Sequence, residues 1–135
     1  MLDCIFCKII SGEIKAYKVY EDDFVLAFLD VHPCSNGHTV VTPKQHISSL
    51  LTLEVEGWTK MTLGLKKTIE KVKEVIKPDA MNIGINEGKA SGQAVPHLHW
   101  HIIPRWENDG GGSMHSIIKS KDGLPIAEVA KLFLK

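Results

Sequence analysis

The chain has 135 residues, which is enough for one domain with a core of its own and too few for two domains of ordinary size. Its 16 basic and 16 acidic residues balance, so the composition indicates neither a nucleic-acid partner nor a membrane surface. No apolar run approaches the roughly 20 residues that a membrane-spanning helix needs, and the N-terminus lacks the pattern of an export signal, so we expect a cytoplasmic protein.

Antiparallel strands are predicted over the first third of the chain. The segment KVYEDDFVLAFLD, from Lys18 to Asp30, has the pattern of a strand, an Asp-Asp turn and a longer apolar strand. The next segment, HPCSNG, is rich in turn residues. HTVVT, from His38 to Thr42, predicts a short buried strand.

A long amphipathic helix is predicted after these strands. Thr52 is the expected N-cap, and Pro78 ends the helix because it cannot continue the hydrogen-bond ladder. Apolar residues recur at spacings of three and four, which indicates one buried helix face. That face comprises Trp58, Met61, Leu65, Ile69, Val72 and Ile76.

The second half of the chain returns to strands. MNIGIN (81–86) and HLHWHIIP (97–104) predict two strands, which a glycine-containing loop joins. MHSIIK (114–119) predicts a short strand, and an amphipathic helix is expected from about Pro125. The predicted fold class is therefore α+β, a mostly antiparallel sheet with one long helix.

Three histidines at strict period two form the most unusual feature of the sequence. Strand alternation puts His97, His99 and His101 on one face, and Leu98 and Trp100 on the other. A metal site, a catalytic site and chance are the competing explanations. The outer pair would lie about 13 Å apart at their Cα atoms, which disfavours one shared ion. Catalysis explains the spacing better, because a neutral central imidazole can be a nucleophile while its neighbours bind phosphate or protonate a leaving group.

The histidine row resembles the signature of the histidine triad family of nucleotide hydrolases and transferases. Four segments, the last of which contains the row, are similar to family segments in the family's order and cover most of residues 4–105. They are CIFCKIISGEI, VYEDDFVLAFLD, GHTVVTPKQH and NIGINEGKASGQAVPHLHWHIIPR. The resemblance implies the family's α+β fold and a homodimer whose sheets join across the interface.

The resemblance also implies a role for each histidine near the row. His99 is expected to attack the α-phosphorus of a nucleotide and to form a nucleotidyl-histidine intermediate that water hydrolyses. His101 is expected to contact the α-phosphate and the leaving group, and His97 to orient His99 through its backbone carbonyl. His38 matches a histidine that supports the active site, although its residue type alone fits a structural role equally well.

Nucleotide-binding residues are implied in the same way. Asp30 falls where the family binds ribose hydroxyls, and a carboxylate can accept both hydroxyl hydrogens. Asn86 and Gln93 match amide side chains that contact phosphate, and Gly92 would let backbone N–H groups approach phosphate oxygens. The resemblance assigns the purine pocket and the remaining contacts to Ile5, Phe6, Ile9, Ile14, Phe28, Leu29, Ala94 and Val95.

Ala94 departs from the family pattern. Many phosphoramidate-cleaving members carry Ser or Thr at this position, where the hydroxyl serves the leaving group. Alanine has no donor, so protonation of an amine leaving group loses this help, whereas a polyphosphate leaving group needs less.

A metal site is predicted near the N-terminus. Cys4 and Cys7 form a Cys-x-x-Cys motif, which alone is consistent with a redox pair, half of a zinc site or coincidence. A subset of the family completes this motif with histidines that match His46 and His97. The resemblance therefore implies a structural zinc site that pins the N-terminal segment beside the triad and leaves His99 free.

The predicted function is hydrolysis at the α-phosphate of a purine nucleotide conjugate, either a nucleoside phosphoramidate or a dinucleoside polyphosphate. A nucleotidyl transferase and a nucleotide-binding adaptor without relevant turnover are the alternatives. We expect one domain over residues 1–135, whose C-terminal extension, 107–135, reaches the partner subunit of a homodimer. No nucleic-acid or membrane partner is expected.

Overall fold

The computed structural model describes residues 3–120 and 122–134, and the predicted α+β class is confirmed. The strands are β1 Lys18–Glu21, β2 Val25–Leu29, β3 Thr39–Pro43, β4 Ala80–Ile85 and β5 Trp100–Arg105, and the helices are α1 Ile5–Ile10, α2 Val55–Ile76 and α3 Ile126–Leu132. The five strands form one antiparallel sheet in the order β1-β2-β3-β5-β4. Within the described ranges, no helix is long and apolar enough to cross a membrane.

The side chains of strand β2 show that the sheet is covered on both faces. Val25 and Ala27 belong to the core cluster that packs under α2. Leu26 and Phe28 belong to a second cluster on the other face, together with Phe6 of α1. Because both faces of β2 are buried, its sequence is a continuous apolar run rather than an alternating one.

Helix α2 lies on the sheet face opposite α1. All six apolar residues predicted for its buried face lie in or against the core cluster under α2, so that prediction is confirmed. Gly64 allows the helix to approach closely, since a Cβ at this position would lie 2.6 Å from Cγ2 of Val25. The helix ends at Lys77, which adopts a left-handed conformation before Pro78.

The predicted N-cap of α2 is two residues too early. Thr52 closes a short 3-10 turn, Leu50–Thr52, and Glu54 is the N-cap. The carboxylate of Glu87 accepts hydrogen bonds from the backbone N–H of Leu50 and from the hydroxyl of Ser49. These contacts hold the turn apart from the helix.

Strand β5 begins later than the sequence predicts. The chain bends at residues 95–97, where the N–H of His97 donates to the carbonyl of Val95 over 2.8 Å. The N–H of Leu98 then donates to the carbonyl of Ile47, outside the sheet ladder. The expected alternation nevertheless holds, because Leu98 and Ile102 lie in the core under α2.

The C-terminal segment differs from its predicted structure at one element. MHSIIK is not a strand, because Met114–Ser116 forms a 3-10 turn whose N-cap, Ser113, accepts a hydrogen bond from the N–H of His115. The expected terminal helix is present as α3. Arg105, the last residue of β5, binds Asp109 and the carbonyl of Gly112 in the loop that follows the strand.

Candidate functional site

The histidines of the row converge where β3 and β5 pair. Val40 of β3 lies opposite His101 of β5 in the register. His99 and His101 are neighbours, with ring centroids 5.0 Å apart. The rings of Phe6 and His99 pack edge to face, with their centroids 4.9 Å apart. Phe6 therefore brings α1 onto the histidine face of the sheet.

His99 has the hydrogen bonding of a neutral nucleophile. Its Nδ1–H donates to the carbonyl of His97 over 2.7 Å, so Nε2 carries the free lone pair. The side chain is 7% exposed, and burial lowers its pKa. A neutral imidazole with one nitrogen fixed as donor and the other unprotonated is the form that attacks phosphorus.

His38 and His101 form a second hydrogen-bonded pair with defined tautomers. The backbone N–H of Cys34 donates to Nδ1 of His38 over 3.0 Å, which leaves the proton of His38 on Nε2. That Nε2–H donates to Nδ1 of His101 over 2.9 Å. Neutral His101 therefore carries its own proton on Nε2. Burial and the neighbouring imidazoles lower the pKa of His101 to about 4, which keeps the ring neutral.

Asp30 lies beside this pair at the end of β2. Its Oδ2 is 3.6 Å from Nε2 of His38, and its Oδ1 accepts a hydrogen bond from the backbone N–H of His32. The N–H of Asp30 donates to the carbonyl of His38. The carboxylate is thus held close to the histidines while Oδ2 remains able to accept further hydrogen bonds.

A separate cluster of four donors lies at the other end of the row. The sulfurs of Cys4 and Cys7 and one ring nitrogen each of His46 and His97 all lie within 4.8 Å of one another. The N···S separations across the cluster are 3.3, 3.3 and 3.6 Å. A tetrahedral zinc ion with bonds of about 2.3 Å to sulfur and about 2.0 Å to nitrogen has N···S edges of about 3.5 Å. The geometry therefore fits a tetrahedral metal ion.

The hydrogen bonds around the cluster also fit a metal. Nε2–H of His97 donates to the carbonyl of Pro43 over 2.8 Å, which leaves Nδ1 unprotonated toward the two sulfurs. The N–H of Cys7 points at the sulfur of Cys4 across 3.4 Å. Burial and the neighbouring Cys4 side chain raise the pKa of Cys7, and a bound cation would counter this by favouring the thiolate form of Cys7.

Asp30, His38 and His101 form a second group whose donor atoms lie within 4.8 Å of one another. Its hydrogen bonds disfavour a metal ion. Nε2 of His38 must lose its proton to coordinate a cation. The proton of the neutral ring would then be on Nδ1, which faces the backbone N–H of Cys34, and the hydrogen bond between them would be lost. This group is therefore suited to hydrogen bonding with a ligand rather than to metal binding.

The residues predicted to bind the nucleotide fall into three places. Ile9, Ile14 and Phe28 line a cavity of about 340 Å³ between α1 and the β1–β2 edge. Ile5, Ala94 and Val95 line a different cleft, beside Cys4 and His46. Phe6 lies between these places against His99, and Leu29 is 37% exposed at the end of β2. Asn86 lines a third cleft, with His38 and His101.

The loop before the row is braced by its own glutamine. The side-chain amide of Gln93 donates to the carbonyls of Ser48 and Val95 and accepts from the N–H of Gly88. The N–H groups of Gly92 and Gln93 themselves are bonded within the loop. Gly88 and Gly92 have φ angles of 91° and 102°, so both glycines are required by the backbone.

Two groups in the site were missed by sequence reasoning, and both are backbone atoms. The N–H of Cys34 sets the tautomer of His38, and the carbonyl of Pro43 sets that of His97. Neither contact leaves a signal in residue type. The contact between Cys34 and His38 is local to the loop before β3, whereas the contact between Pro43 and His97 joins the end of β3 to the segment before β5.

The chain matches a known protein family over most of its length. The HIT domain model matches residues 11–108. An uncharacterized HIT-like protein from Methanocaldococcus jannaschii is 46% identical over 119 residues, which span 88% of this chain and 92% of that protein. Adenylylsulfatase HINT3 from Arabidopsis thaliana is 39% identical over 107 residues, which span 79% of this chain and 54% of that protein.

A solved structure gives the same result for the fold. A HIT family protein from Bacillus anthracis superposes with a TM-score of 0.81 at 39% identity, covering 96% of this chain and 92% of that chain. Both the matched sequence range and the shared fold include α2, the β3–β5 pairing and the histidine row. The chain therefore belongs to the HIT domain family, as the sequence resemblance predicts.

Proposed function

We propose that this protein hydrolyses purine nucleotide conjugates at the α-phosphate, through a nucleotidyl intermediate on His99. The observation that carries the proposal is the hydrogen bond from Nδ1 of His99 to the carbonyl of His97, 2.7 Å long. It leaves a lone pair on Nε2 of a buried, neutral imidazole. The alternative role of a binding adaptor gives no reason for this tautomer to be fixed.

The reaction requires two displacements at phosphorus. Nε2 of His99 forms a bond to the α-phosphorus while the bond to the leaving group breaks. The leaving group departs with the electron pair, and an amine also takes up a proton from solvent. Water then attacks the same phosphorus and loses a proton to solvent, the bond from phosphorus to Nε2 breaks with its electron pair returning to Nε2, and the nucleoside monophosphate leaves neutral His99. Nε2–H of His101 donates a hydrogen bond to the phosphate oxygens in both steps.

The nucleoside is expected to lie on the β1–β2 side of the histidines. Apolar side chains of Ile9, Ile14 and Phe28 in the wall of that cavity suit a flat base, and Oδ2 of Asp30 lies 3.6 Å from Nε2 of His38, which is hydrogen-bonded to His101. Oδ2 of Asp30 would accept the ribose hydroxyls. The name of the Arabidopsis relative, adenylylsulfatase, supports an adenylyl group in this position.

We also propose zinc as the ion of the Cys4–Cys7–His46–His97 cluster. Two thiolates and two imidazoles are a common zinc donor set, and the bonding of His97 to Pro43 leaves the correct nitrogen free. Zinc would link the start of α1 to the bend before β5, and it would supply rigidity rather than a reacting group. A metal site on the whole histidine row is disfavoured, since Nδ1 of His97 faces the sulfurs of Cys4 and Cys7 and Nδ1 of His101 accepts a hydrogen bond from His38.

The proposed assembly is a homodimer of single-domain subunits over residues 1–135. Strand β4 lies at the edge of the sheet, so it can extend the sheet into a second copy. The extension from residue 107 carries exposed apolar side chains, including Phe133, that suit contact with a partner subunit. We place the protein in the cytoplasm and assign it no nucleic-acid or membrane ligand.

Substitution of the nucleophile tests the proposal. His99→Asn should retain nucleoside monophosphate binding and lose turnover of an adenosine phosphoramidate by at least about 1,000-fold. The matched control is His32→Asn, which changes an exposed histidine outside the row. Turnover by His99→Asn at the wild-type rate would refute the assignment. Transfer to an added alcohol, at the expense of water, would favour the transferase alternative.

A further inference from the structure

The two thiols of the candidate metal site lie at the start of α1, in positions that also suit a disulfide. Cys4 is the N-cap of the helix and Cys7 lies in its first turn, and the N–H of Cys7 points at the sulfur of Cys4 across 3.4 Å. The two sulfurs lie within 4.8 Å of each other. Residues three apart in a helix have Cα atoms about 5 Å apart, which lies in the range that a disulfide spans. Cys4 and Cys7 can therefore bond to each other without a rearrangement of the sheet.

A metal ion and a disulfide exclude each other at this pair. Cys4 and Cys7 are the two anionic donors of the cluster, and a disulfide sulfur carries no negative charge. After oxidation the cluster would retain only the imidazoles of His46 and His97, whereas a structural zinc site needs four ligands. The oxidation state of the two sulfurs therefore decides whether the cluster can hold an ion.

The cluster is accessible to small molecules. A cleft of about 780 Å³ is lined by Cys4 and His46, together with Ile5 of α1 and Ala94 of the loop before the histidine row. Cys7 is itself partly exposed. Cysteines sealed in a core are inert, whereas accessible thiolates react with oxidants. A peroxide can therefore reach the sulfurs, and an ion has a path to solvent.

Two contacts connect the cysteine pair to His99. Phe6 lies between the cysteines in sequence, and its ring packs edge to face against the rings of His97 and His99, with centroid separations of 5.9 and 4.9 Å. His97 makes the second connection, because its Nδ1 faces both sulfurs while its carbonyl accepts the hydrogen bond from His99. A movement of the sulfurs toward each other therefore changes both the packing and the orientation of the proposed nucleophile.

We infer that Cys4 and Cys7 form a redox switch, in which a peroxide replaces the bound metal with a disulfide and displaces Phe6 and His97 from the positions that support His99. The effect on turnover rests on the proposed function. The exchange of metal for disulfide does not, since it involves only the four residues of the cluster. Reduction by a dithiol reverses the switch through thiol–disulfide exchange.

The oxidation is a two-electron reaction that balances with the peroxide as the only co-reactant. One thiolate attacks an oxygen of the peroxide, the O–O bond breaks, and the products are a sulfenic acid and a hydroxide ion. The second thiolate attacks the sulfenic sulfur, the S–S bond forms, and a second hydroxide ion leaves. The two sulfurs together lose two electrons, and the two peroxide oxygens gain them.

A peroxide titration of the full-length, zinc-loaded protein tests the exchange. The Cys34→Ser background removes the third cysteine of the chain, so only Cys4 and Cys7 carry thiols. A chromogenic chelator measures released zinc, a thiol reagent counts free cysteines, and mass spectrometry reads the peptide that holds both cysteines. We expect zinc and the two thiols to disappear together, and the peptide to lose two hydrogen atoms. Dithiothreitol with added zinc should restore the starting state.

The connection to His99 is measured on the same samples, reduced and oxidised. The NMR signals of the His99 ring should shift on oxidation because Phe6 moves, whereas those of the exposed His32 ring should not. Turnover of an adenosine phosphoramidate should fall by about tenfold or more in kcat/KM and return with dithiothreitol and zinc. Recovery itself identifies the disulfide, because dithiothreitol does not reverse sulfinic acid or methionine sulfoxide.

A variant without cysteines is the control for oxidation elsewhere in the chain. Cys4→Ser and Cys7→Ser, combined in the Cys34→Ser background, leave no thiol to oxidise. Peroxide should not change the kcat/KM of this variant. An equal fractional loss in the variant and in the parent would assign the effect to another residue and overturn the switch. The reversal by dithiothreitol supplies the same distinction in the parent protein if the variant does not fold.

The remaining outcomes separate the switch from the proposed function. A protein that binds no zinc, or that keeps zinc and both thiols at peroxide concentrations that oxidise the exposed Met114, overturns the switch. Sulfinic acid in place of the disulfide also overturns it. A disulfide that leaves the His99 signals and turnover unchanged overturns the connection to the nucleophile. Absence of turnover by the reduced, zinc-loaded protein rejects the proposed function, while the zinc, thiol and NMR measurements still decide the switch.

Discussion

Removal of zinc should destabilise this protein by an amount that the linkage relation gives. The four donors of Cys4, Cys7, His46 and His97 converge only in the folded chain, so zinc bound there would stabilise the native state by RT ln(1 + [Zn]/Kd). At free zinc of 1,000 times Kd the gain is about 4 kcal/mol. The unfolding entropy of 135 residues is about 0.28 kcal/mol/K, so Tm should fall by about 14 °C when zinc is removed.

Thermal unfolding in zinc buffers measures this shift directly. Wild-type Tm should rise with the logarithm of free zinc, whereas Cys7→Ser should show less than about a quarter of that rise because it lacks one thiolate ligand. Cys34→Ser is the matched control, since Cys34 is exposed and lies outside the cluster. A wild-type Tm independent of zinc, or a shift reduced equally in both serine variants, would refute the reasoning.

Three further predictions follow from individual contacts. The lowered pKa of His101, about 4 against an ordinary 6.5, means that the unfolded chain binds this proton first as pH falls. Stability that is present above pH 6.5 should therefore decline by up to about 3 kcal/mol toward pH 4, and denaturation of His101→Gln should show a weaker pH dependence. Cys34→Pro removes the N–H that sets the tautomer of His38 and should lower kcat by tenfold or more, whereas Cys34→Ala should not. Nitrogen NMR of the His38 ring should show the change of tautomer in the proline variant. Equal kcat values for the two variants would contradict the tautomer argument. Gly64→Ala should destabilise by about 1–2 kcal/mol in urea unfolding, because its Cβ meets Val25 at 2.6 Å. Unchanged stability in that variant would show that α2 can shift away from the sheet.

Periodicity predicted the faces of this fold better than it predicted the ends of its elements. The spacing of apolar residues in α2 identified its buried face, although it did not include the buried Gly64 and Thr68. Alternation correctly separated the histidines from Leu98 and Ile102. The start of β5 was wrong because the bend at residues 95–97 depends on the bond between Leu98 and Ile47, which lie far apart in sequence. The first turn of α2 was wrong for a similar reason, the contact of Glu87 with Leu50.

Helix α1 and the 3-10 turn at Met114 show why short elements could not be predicted from the sequence. Six residues are too few for helical periodicity to be visible, and α1 is stabilised by packing of Phe6 against Phe28 rather than by its own sequence. The turn at Met114 depends on the cap from Ser113. An apolar run such as MHSIIK predicts a strand only where a sheet edge is available to pair with it.

In the candidate site, too, some features could be predicted from the sequence and others could not. The family resemblance predicted that Cys4, Cys7, His46 and His97 would gather, and they do. The tautomers of His38 and His97 could not be predicted, because each depends on a backbone atom that leaves no signal in residue type, whereas the bond from His99 to the carbonyl of His97 was expected from the family resemblance. Both His97 and His99 keep one free ring nitrogen, and the thiols of Cys4 and Cys7 beside His97 distinguish the candidate metal ligand from the candidate nucleophile.

The central claim is that His99 becomes covalently bonded to the nucleotide. Rapid acid-free quenching during turnover of a conjugate labelled at the α-phosphorus, followed by peptide mapping, measures this bond directly. The account predicts one nucleotidyl group on the peptide that contains His99, cleaved by acid and absent in His99→Asn. Label on another residue, or steady turnover with no label on His99 at any time in the first turnover, would contradict it.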